Sequence, residues 1–343
     1  NGLLSYIVKL GLYGDDKVKG FRKYLFEDNF LEKMWIVKSN KLGNEKFFSQ
    51  IDPNEKFAVF VTRKGGLRNK KIKNRYTLNA KQILTWEDVN HKFEDWQKYD
   101  VSESLDEQFK ITVFDSQIRK SISEKLLKFP TVRTSGLKVA AELHLTNDRK
   151  YFTSSKSDVP IITGYELSPF RTKEPENWCK DASRVVSKIA TYGVDRLGVN
   201  DIIPNSRRKI RCSIIPKDNL TANSVLVVYG FQAKDDLYLA MAGINAMITD
   251  YYLRPNLSNM HLNNFRLYNL PIPLGISDNA KEEIVAEVKK LIKKKEYDEL
   301  DESYVKVESI LATCYGLTDD EIRSYLGAFE KTSKDFIQDV IDY

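Results

Sequence analysis

Ser224-Val225-Leu226-Val227-Val228-Tyr229 is a run of β-favouring side chains, and soon after it Leu237, Met241, Ile244, Ile248 and Tyr252 recur at spacings of three or four. A strand leading directly into an amphipathic helix is therefore expected, with Pro255 ending the helix. Upstream, the stretches 138–145, 159–163 and 209–215 are further short β-like runs separated by Gly, Pro, Asn and Ser. Residues 131–276 thus read as one mixed or antiparallel sheet domain with a helix.

Downstream, residues 277–300 read as a charged amphipathic helix. Asn279 is its expected N-cap with Glu282 three residues on, and Ile284, Val288 and Leu291 line one face. Two more helices are expected over 301–314 and 318–329, the second opened by the capping pattern Thr318-x-x-Glu321. The first 64 residues read differently. Leu3-Leu4-Ser5-Tyr6-Ile7-Val8 is a strand, Val18, Phe21, Leu25 and Phe26 sit at helical spacing, and 34–37 and 57–61 are two buried-strand runs. Residues 65–130, with Trp86 and Trp96 among many charges, read as a helical connector closed at Phe129-Pro130. The expected fold class is α+β: α/β strands over 1–64, the connector over 65–130, the mixed-sheet domain over 131–276 and C-terminal helices over 277–343.

With 42% hydrophobic and 11% aromatic residues in 343, the chain has ample core material and is not disordered. Its net charge of +6 is mild, so the distribution of charge matters more than the total. Cys179, Cys212 and Cys314 are odd in number and far apart, which argues against a disulfide framework or zinc site and suits a reducing cytoplasm. No stretch approaches about 18 uninterrupted apolar residues, so no membrane span is expected, and no signal peptide is seen. Because Asn1 is followed almost at once by a strand, the sequence is expected to be a fragment of a longer chain.

Catalytic patterns are sparse. There is no phosphate-cradling Gly loop, no Gly-x-Ser-x-Gly, and His91, His144 and His261 lie in unrelated contexts. Asp106-Glu107 with Lys110, and Asp301-Glu302 with Lys306, have nuclease-like residue types but lie in polar helical stretches. No catalytic, cofactor-binding or metal site is expected within this chain.

Two stretches are conspicuous for charge. From Arg63 to Arg75 there are seven basic residues and no acidic one, including Lys70, Lys71 and Lys73; a solvated loop and a phosphate-contacting loop both fit. From Ile202 to Lys217 the charges are again only basic. If 207–211 is a strand, Arg207, Lys209 and Arg211 share one face opposite Arg208, Ile210 and Cys212, making a cationic stripe. Asn205-Ser206 and Arg133-Thr134-Ser135 add donors and acceptors suited to base edges. A solvated strand edge is the alternative to DNA contact, and Asn245 reads more readily as a helix-packing hydrogen bonder than as a contact residue.

Several stretches, in order, resemble the C-terminal half of Type IIG restriction–modification enzymes and their PglX-like relatives, with a TaqI-like specificity domain. The first comprises Gly2-Leu3-Leu4-Ser5-Tyr6-Ile7-Val8, Phe21-Arg22-Lys23-Tyr24-Leu25 and Lys56-Phe57-Ala58-Val59-Phe60-Val61. It is similar to the stretch that follows the methyltransferase loop Asn-Pro-Pro-Tyr, although the chain has no Pro-Pro. The second runs from Val159 through Thr163-Gly164-Tyr165-Glu166 to Phe170, similar to a strand leading to a Gly and an acidic residue. The third comprises Arg196-Leu197, Asn200-Asp201-Ile202, Arg207-Arg208-Lys209-Ile210-Arg211 and Ile214-Ile215-Pro216. The fourth is Gly243-Ile244-Asn245-Ala246, Tyr251-Tyr252-Leu253-Arg254 and Asn269-Leu270-Pro271-Ile272-Pro273, with Ile244 and Ala246 in place of Leu and Ser. The fifth is Cys314-Tyr315-Gly316-Leu317-Thr318.

The resemblance implies recognition of double-stranded DNA for a site-specific N6-adenine methyltransferase or restriction enzyme. Arg133, Arg196, Asn205, Arg207, Arg208, Lys209 and Arg211, with Lys70, Lys71 and Lys73, are then the expected DNA-binding residues. It also implies an upstream methyltransferase domain in the same polypeptide that binds S-adenosylmethionine, and Mg if the parent cleaves. The fragment is expected to be inactive alone. A Type I restriction specificity subunit and an autonomous hydrolase or nuclease are the other readings.

Overall fold

The alternation Leu78, Ala80, Gln82 inward against Asn79 and Lys81 marks a strand in a region read above as helical, and it belongs to the first of two compact units. The computed structural model describes residues 3–14, 18–37, 41–42, 45–51, 56–65, 77–83, 96–106, 109–157, 159–202, 210–254, 261–294, 301–329 and 332–343. Contacts divide the chain into Asn1–Gln117 with 255–259, and Ile118–Arg254 with Met260–Tyr343.

In the first unit, β1 (Leu3–Lys9) is followed by α1 (Leu10–Gly14) and α2 (Lys19–Glu27), then β2 (Asn29–Val37), the short pair β3 (Lys41–Leu42) and β4 (Glu45–Lys46), β5 (Phe57–Lys64), β6 (Thr77–Ile83), β7 (Gln97–Asp100) and α3 (Val101–Ser104). The main sheet has the order β1-β5-β2-β6-β7, with β2 and β6 parallel and the other neighbours antiparallel. Leu25, Phe26, Leu31, Met34, Phe60 and Leu78 form its core. The strands expected over 3–8, 34–37 and 57–61 are present. The helical connector is corrected: β6 and β7 join this sheet, and the helices among the described residues of the stretch are the short α3 and α4 (Gln117–Leu126). Isolated charges masked the period-two alternation that now explains β6.

The second unit adds β8 (Lys138–Ala140), β9 (Phe152–Thr153), β10 (Pro160–Ile162), β11 (Leu167–Ser168), β12 (Arg171–Thr172), β13 (Asn177–Cys179), α5 (Ala182–Val186), β14 (Arg196–Asn200), β15 (Cys212–Ile214), β16 (Leu220–Thr221) and β17 (Val225–Tyr229). One sheet is antiparallel throughout, β15-β14-β17-β8. The other, β16-β10-β13-β9, is mixed because β10 and β16 run parallel. β11 and β12 form a separate hairpin.

Helices then follow: α6 (Lys234–Asn245), α7 (Met247–Leu253), α8 (Asn263–Tyr268), α9 (Asp278–Lys293), α10 (Glu302–Cys314), α11 (Asp319–Gly327) and α12 (Lys334–Asp342). The single helix expected over 237–252 is two. Ala246 is extended at φ −65°, ψ 142°, and the backbone groups freed there are met by neighbours. The Met247 amide donates to buried Glu308, and the Tyr304 hydroxyl donates to the Asn245 carbonyl at 3.3 Å. Ser277, not Asn279, caps α9, accepting from the Ala280 amide. The capping box at Thr318 and Glu321 is as the sequence indicated. The chain is an α+β protein, and among the described residues no helix is long and apolar enough to cross a membrane.

Candidate nucleic-acid interface

Central strand β14 has two ends with different chemistry. At one, Arg196 pairs with Tyr229; at the other, Asn200 pairs with Val225 and its amide donates to the Arg211 carbonyl at 3.1 Å. Asn200 is buried, and its side chain closes this second end. Its Oδ1 accepts from the Arg211 amide at 2.6 Å and its Nδ2 donates to the Ile202 carbonyl at 2.7 Å. The chain that leaves at Ile202 and returns at Ile210 is thereby clipped at its neck by one carboxamide. That connection carries Asn205, Arg207, Arg208 and Lys209, which lie outside the described residues, as do Lys70, Lys71 and Lys73.

Three other segments meet at the same neck. The Asp201 amide donates to the Ser224 carbonyl at 3.0 Å, while the Ser224 hydroxyl accepts from the Gly164 amide at 3.0 Å. The Thr163–Glu166 turn therefore hangs on the residue that also anchors Asp201. Glu166, almost wholly buried, tightens that turn by accepting from the Thr163 amide at 2.8 Å and the Thr163 hydroxyl at 2.6 Å. The strand, Gly and acidic residue noted in the sequence are these groups. From the far side, Ile202 bridges His261, the Leu262 amide donates to the Asp201 carbonyl at 2.7 Å, and His261 Nδ1 lies 2.6 Å from Asp201 Oδ2. The His261 ring is mostly exposed.

The expected DNA-binding set separates. Arg196 is corrected outright: it is fully buried, forms an ion pair with Glu142 at 3.4 Å, and donates to the Thr191 and Asn219 carbonyls. Burial pushes its guanidinium below the ordinary value against the opposing pull of Glu142. A side chain so enclosed cannot contact a duplex. Arg211 is half-buried at the neck and braces the β11–β12 hairpin by donating to the Leu167 carbonyl at 3.0 Å. Burial lowers its guanidinium as well, so the stripe expected on one strand face is not met at Arg211. Ile210 and Cys212 are buried, as the alternation required, but β15 begins only at Cys212.

Arg133 is exposed, with its guanidinium 5.4 Å from the centre of the Tyr268 ring. Its loop leads into β8 at Lys138, which pairs with Tyr229, so it lies towards the sheet end opposite the Asn200 neck. Thr134 is engaged with Thr131 within its own turn. Asn245 is buried and grips β15 through both amide atoms, accepting from the Cys212 amide and donating to the Cys212 carbonyl, each at 2.8 Å. Asp301 caps α10 and Glu302 forms an i,i+4 pair with Lys306, so those acids are helix-end chemistry. Sequence reasoning missed Ser224 and His261 as parts of the neck. The separations of 60 residues for Ser224–Gly164 and His261–Asp201 leave no local signal to find them.

No family model matches the chain, and no curated protein matches it. Among solved structures it is similar to the Type IIL restriction-modification enzyme MmeI, solved in complex with DNA, with TM-score 0.51 and 10% identity over 99% of this chain and 50% of that one. It is also similar to the type IIG restriction endonuclease BpuSI (TM-score 0.44, 12% identity, 99% and 47% covered). A third is the HsdS subunit from Thermoanaerobacter tengcongensis (TM-score 0.31, 14% identity, 58% and 50% covered). The chain spans about half the length of the structures it matches. At these identities the likeness to MmeI shows a shared fold.

Proposed function

We propose that this chain is the DNA target-recognition part of a site-specific adenine methyltransferase or restriction enzyme, and that the β14–β15 connection is its main contact with duplex DNA. The observation that carries this is the neck: a buried carboxamide at the end of a sheet ties Ile202 to Arg211, and the sequence between them is basic and acid-free, with Arg207-Arg208-Lys209. Phosphate contacts need cations held in register, and base reading needs a few donors and acceptors set on a fixed scaffold. The connection from Ile202 to Ile210 carries no acidic residue of its own. The fold shared with MmeI supports the same reading.

The methyl donor belongs, on this reading, to an upstream domain of the same polypeptide. The residues present include neither a Gly-rich cofactor loop nor Asn-Pro-Pro-Tyr, and do not by themselves fit S-adenosylmethionine. Support for a covering domain comes from β1, the end strand of its sheet, where Leu3, Leu4 and Ile7 are 65%, 62% and 54% exposed. The test is duplex binding by the 343-residue chain across a salt series. Several phosphate contacts give a log–log slope of several units, and a slope near zero removes the reading.

A further inference from the structure

Tyr165 is the most exposed large hydrophobic side chain among the described residues, at 66%, yet its backbone is held by hydrogen bonds. Its amide donates to Thr163 Oγ1 at 3.2 Å, and the next residue, Glu166, is tied at both side chain and carbonyl, the latter accepting from the Lys173 amide at 2.7 Å. The preceding Gly164 lies so close to Ser224 that a Cβ would meet the Ser224 carbonyl at 3.1 Å. Beneath the turn, Ile162, Leu167, Ile215 and Val225 form a buried cluster. A ring on a mobile loop can fold back onto apolar neighbours. This one stands in solvent on a hydrogen-bonded turn. Lys173 stands beside it, its ammonium 5.3 Å from the ring centre.

The turn's anchor, Ser224, is also the anchor of Asp201 at the neck of the basic connection. The turn that carries the aromatic ring and the residue before Ile202 are therefore anchored on one serine. Glu166, the acid nearest in sequence to Tyr165, is buried and engaged with Thr163; Glu174 follows Lys173 and bounds the cationic side. A flat aromatic surface beside an ammonium suits a ligand that combines planar rings with phosphate.

We propose that Tyr165 is a stacking platform for a DNA base that has left the helical stack, with Lys173 contacting the phosphate next to that base. The proposal rests on the recognition reading above and adds to it a residue that acts on unpaired bases rather than on the intact duplex. Enzymes that modify a base must take it out of the stack, and the displaced or widowed base then needs a surface.

The experiment compares a fluorescein-labelled duplex carrying one unpaired adenine with its fully paired counterpart, by anisotropy. The proteins are the full chain and its Tyr165→Ala, Tyr165→Phe and Lys173→Ala variants. The chain should prefer the duplex with the unpaired adenine. Tyr165→Ala should bind that duplex about 5- to 150-fold more weakly, with paired-duplex affinity and melting temperature unchanged. Tyr165→Phe should retain the preference, and Lys173→Ala should lower the salt slope by about one. If the full chain binds DNA and Tyr165→Ala keeps the same ratio between the two duplexes, the stacking role is wrong while the recognition reading stands. If the full chain binds neither duplex, both fall.

Discussion

Replacing Arg196 by Ala separates a structural arginine from a DNA-contacting one by magnitude alone. Its guanidinium is fully buried, lies 3.4 Å from Glu142 Oε1, and donates to the Thr191 carbonyl at 2.5 Å and to that of Asn219. Glu142 is held in turn by the Thr191 hydroxyl and by the Thr221 amide at 2.6 Å. Removing the cation leaves a buried carboxylate without its counter-ion and two carbonyls without donors. Breaking a buried pair from one side costs about 3–5 kcal/mol. At about 2–4 °C per kcal/mol for a unit of this size, the melting temperature should fall by roughly 6–20 °C. An exposed phosphate contact would move stability by no more than about 0.5 kcal/mol. The double variant Arg196→Met with Glu142→Leu should recover part of the loss, because an apolar pair avoids the desolvation penalty. The recovery stays partial, since the Thr221 amide then lacks an acceptor, at about 1–3 kcal/mol. Circular-dichroism melting gives the stability, and duplex titration well below the melting temperature gives the salt slope. A melting change below about 2 °C together with a reduced salt slope would refute the assignment.

Three further outcomes follow from the same packing. Asn200→Ala removes hydrogen bonds to Ile202 and Arg211, so stability should drop by about 2–4 kcal/mol and duplex affinity should fall in the folded protein, read by denaturant titration and anisotropy. Gly243→Ala would place a Cβ 2.3 Å from Pro273 Cδ, a ring atom that cannot rotate away; a destabilisation of about 1–3 kcal/mol is expected in urea titration. Burial would raise the Glu321 carboxyl, but hydrogen bonds from Lys125, Ser121 and the Thr318 amide outweigh it and hold it below the ordinary 4.5. A lowered carboxylate stabilises above its unfolded pKa and loses that contribution as pH falls through the folded one. Glu321→Gln should therefore be less stable at pH 7, with the gap closing below about pH 4.5; a gap that widens in acid would contradict the assignment.

The fold was legible wherever one periodicity dominated. Ile284, Val288 and Leu291 on α9, the capping box at Thr318 and the run 225–229 each report a local rule, and each is where the sequence put it. β6 was missed because Lys81 and Asn79 on its outward face carry no apolar signature, and its inward face includes polar Gln82. The break at Ala246 was invisible because the Glu308 carboxylate that meets the freed Met247 amide arrives from 61 residues away. The site divides in the same way. Basic residue types announce themselves, but whether an arginine is a surface cation or a buried strut depends on a partner elsewhere. Glu142 makes Arg196 a strut, and the Leu167 carbonyl does the same for part of Arg211.

At the neck, Arg211 sits beside the basic connection in sequence yet serves the support. A strand that ends in a cationic connection needs its exit and return fixed in register, and the groups that fix it must not attract the cations inward. Asn200 meets both needs, because a carboxamide gives one donor and one acceptor without charge. Aspartate at 200 could accept from the Arg211 amide but could not donate to the Ile202 carbonyl, and it would add a buried negative charge. The acid that is present, Asp201, lies outside the clip and is bound to His261 and the Asn263 amide. Ser224 performs the parallel task for the Gly164 turn with another neutral group. Asn200 and Ser224 thus fix the neck with uncharged groups, while Glu166 is engaged with Thr163 and Asp201 with His261. On the proposed reading, such a scaffold can hold its geometry while the connecting residues vary with the sequence to be read.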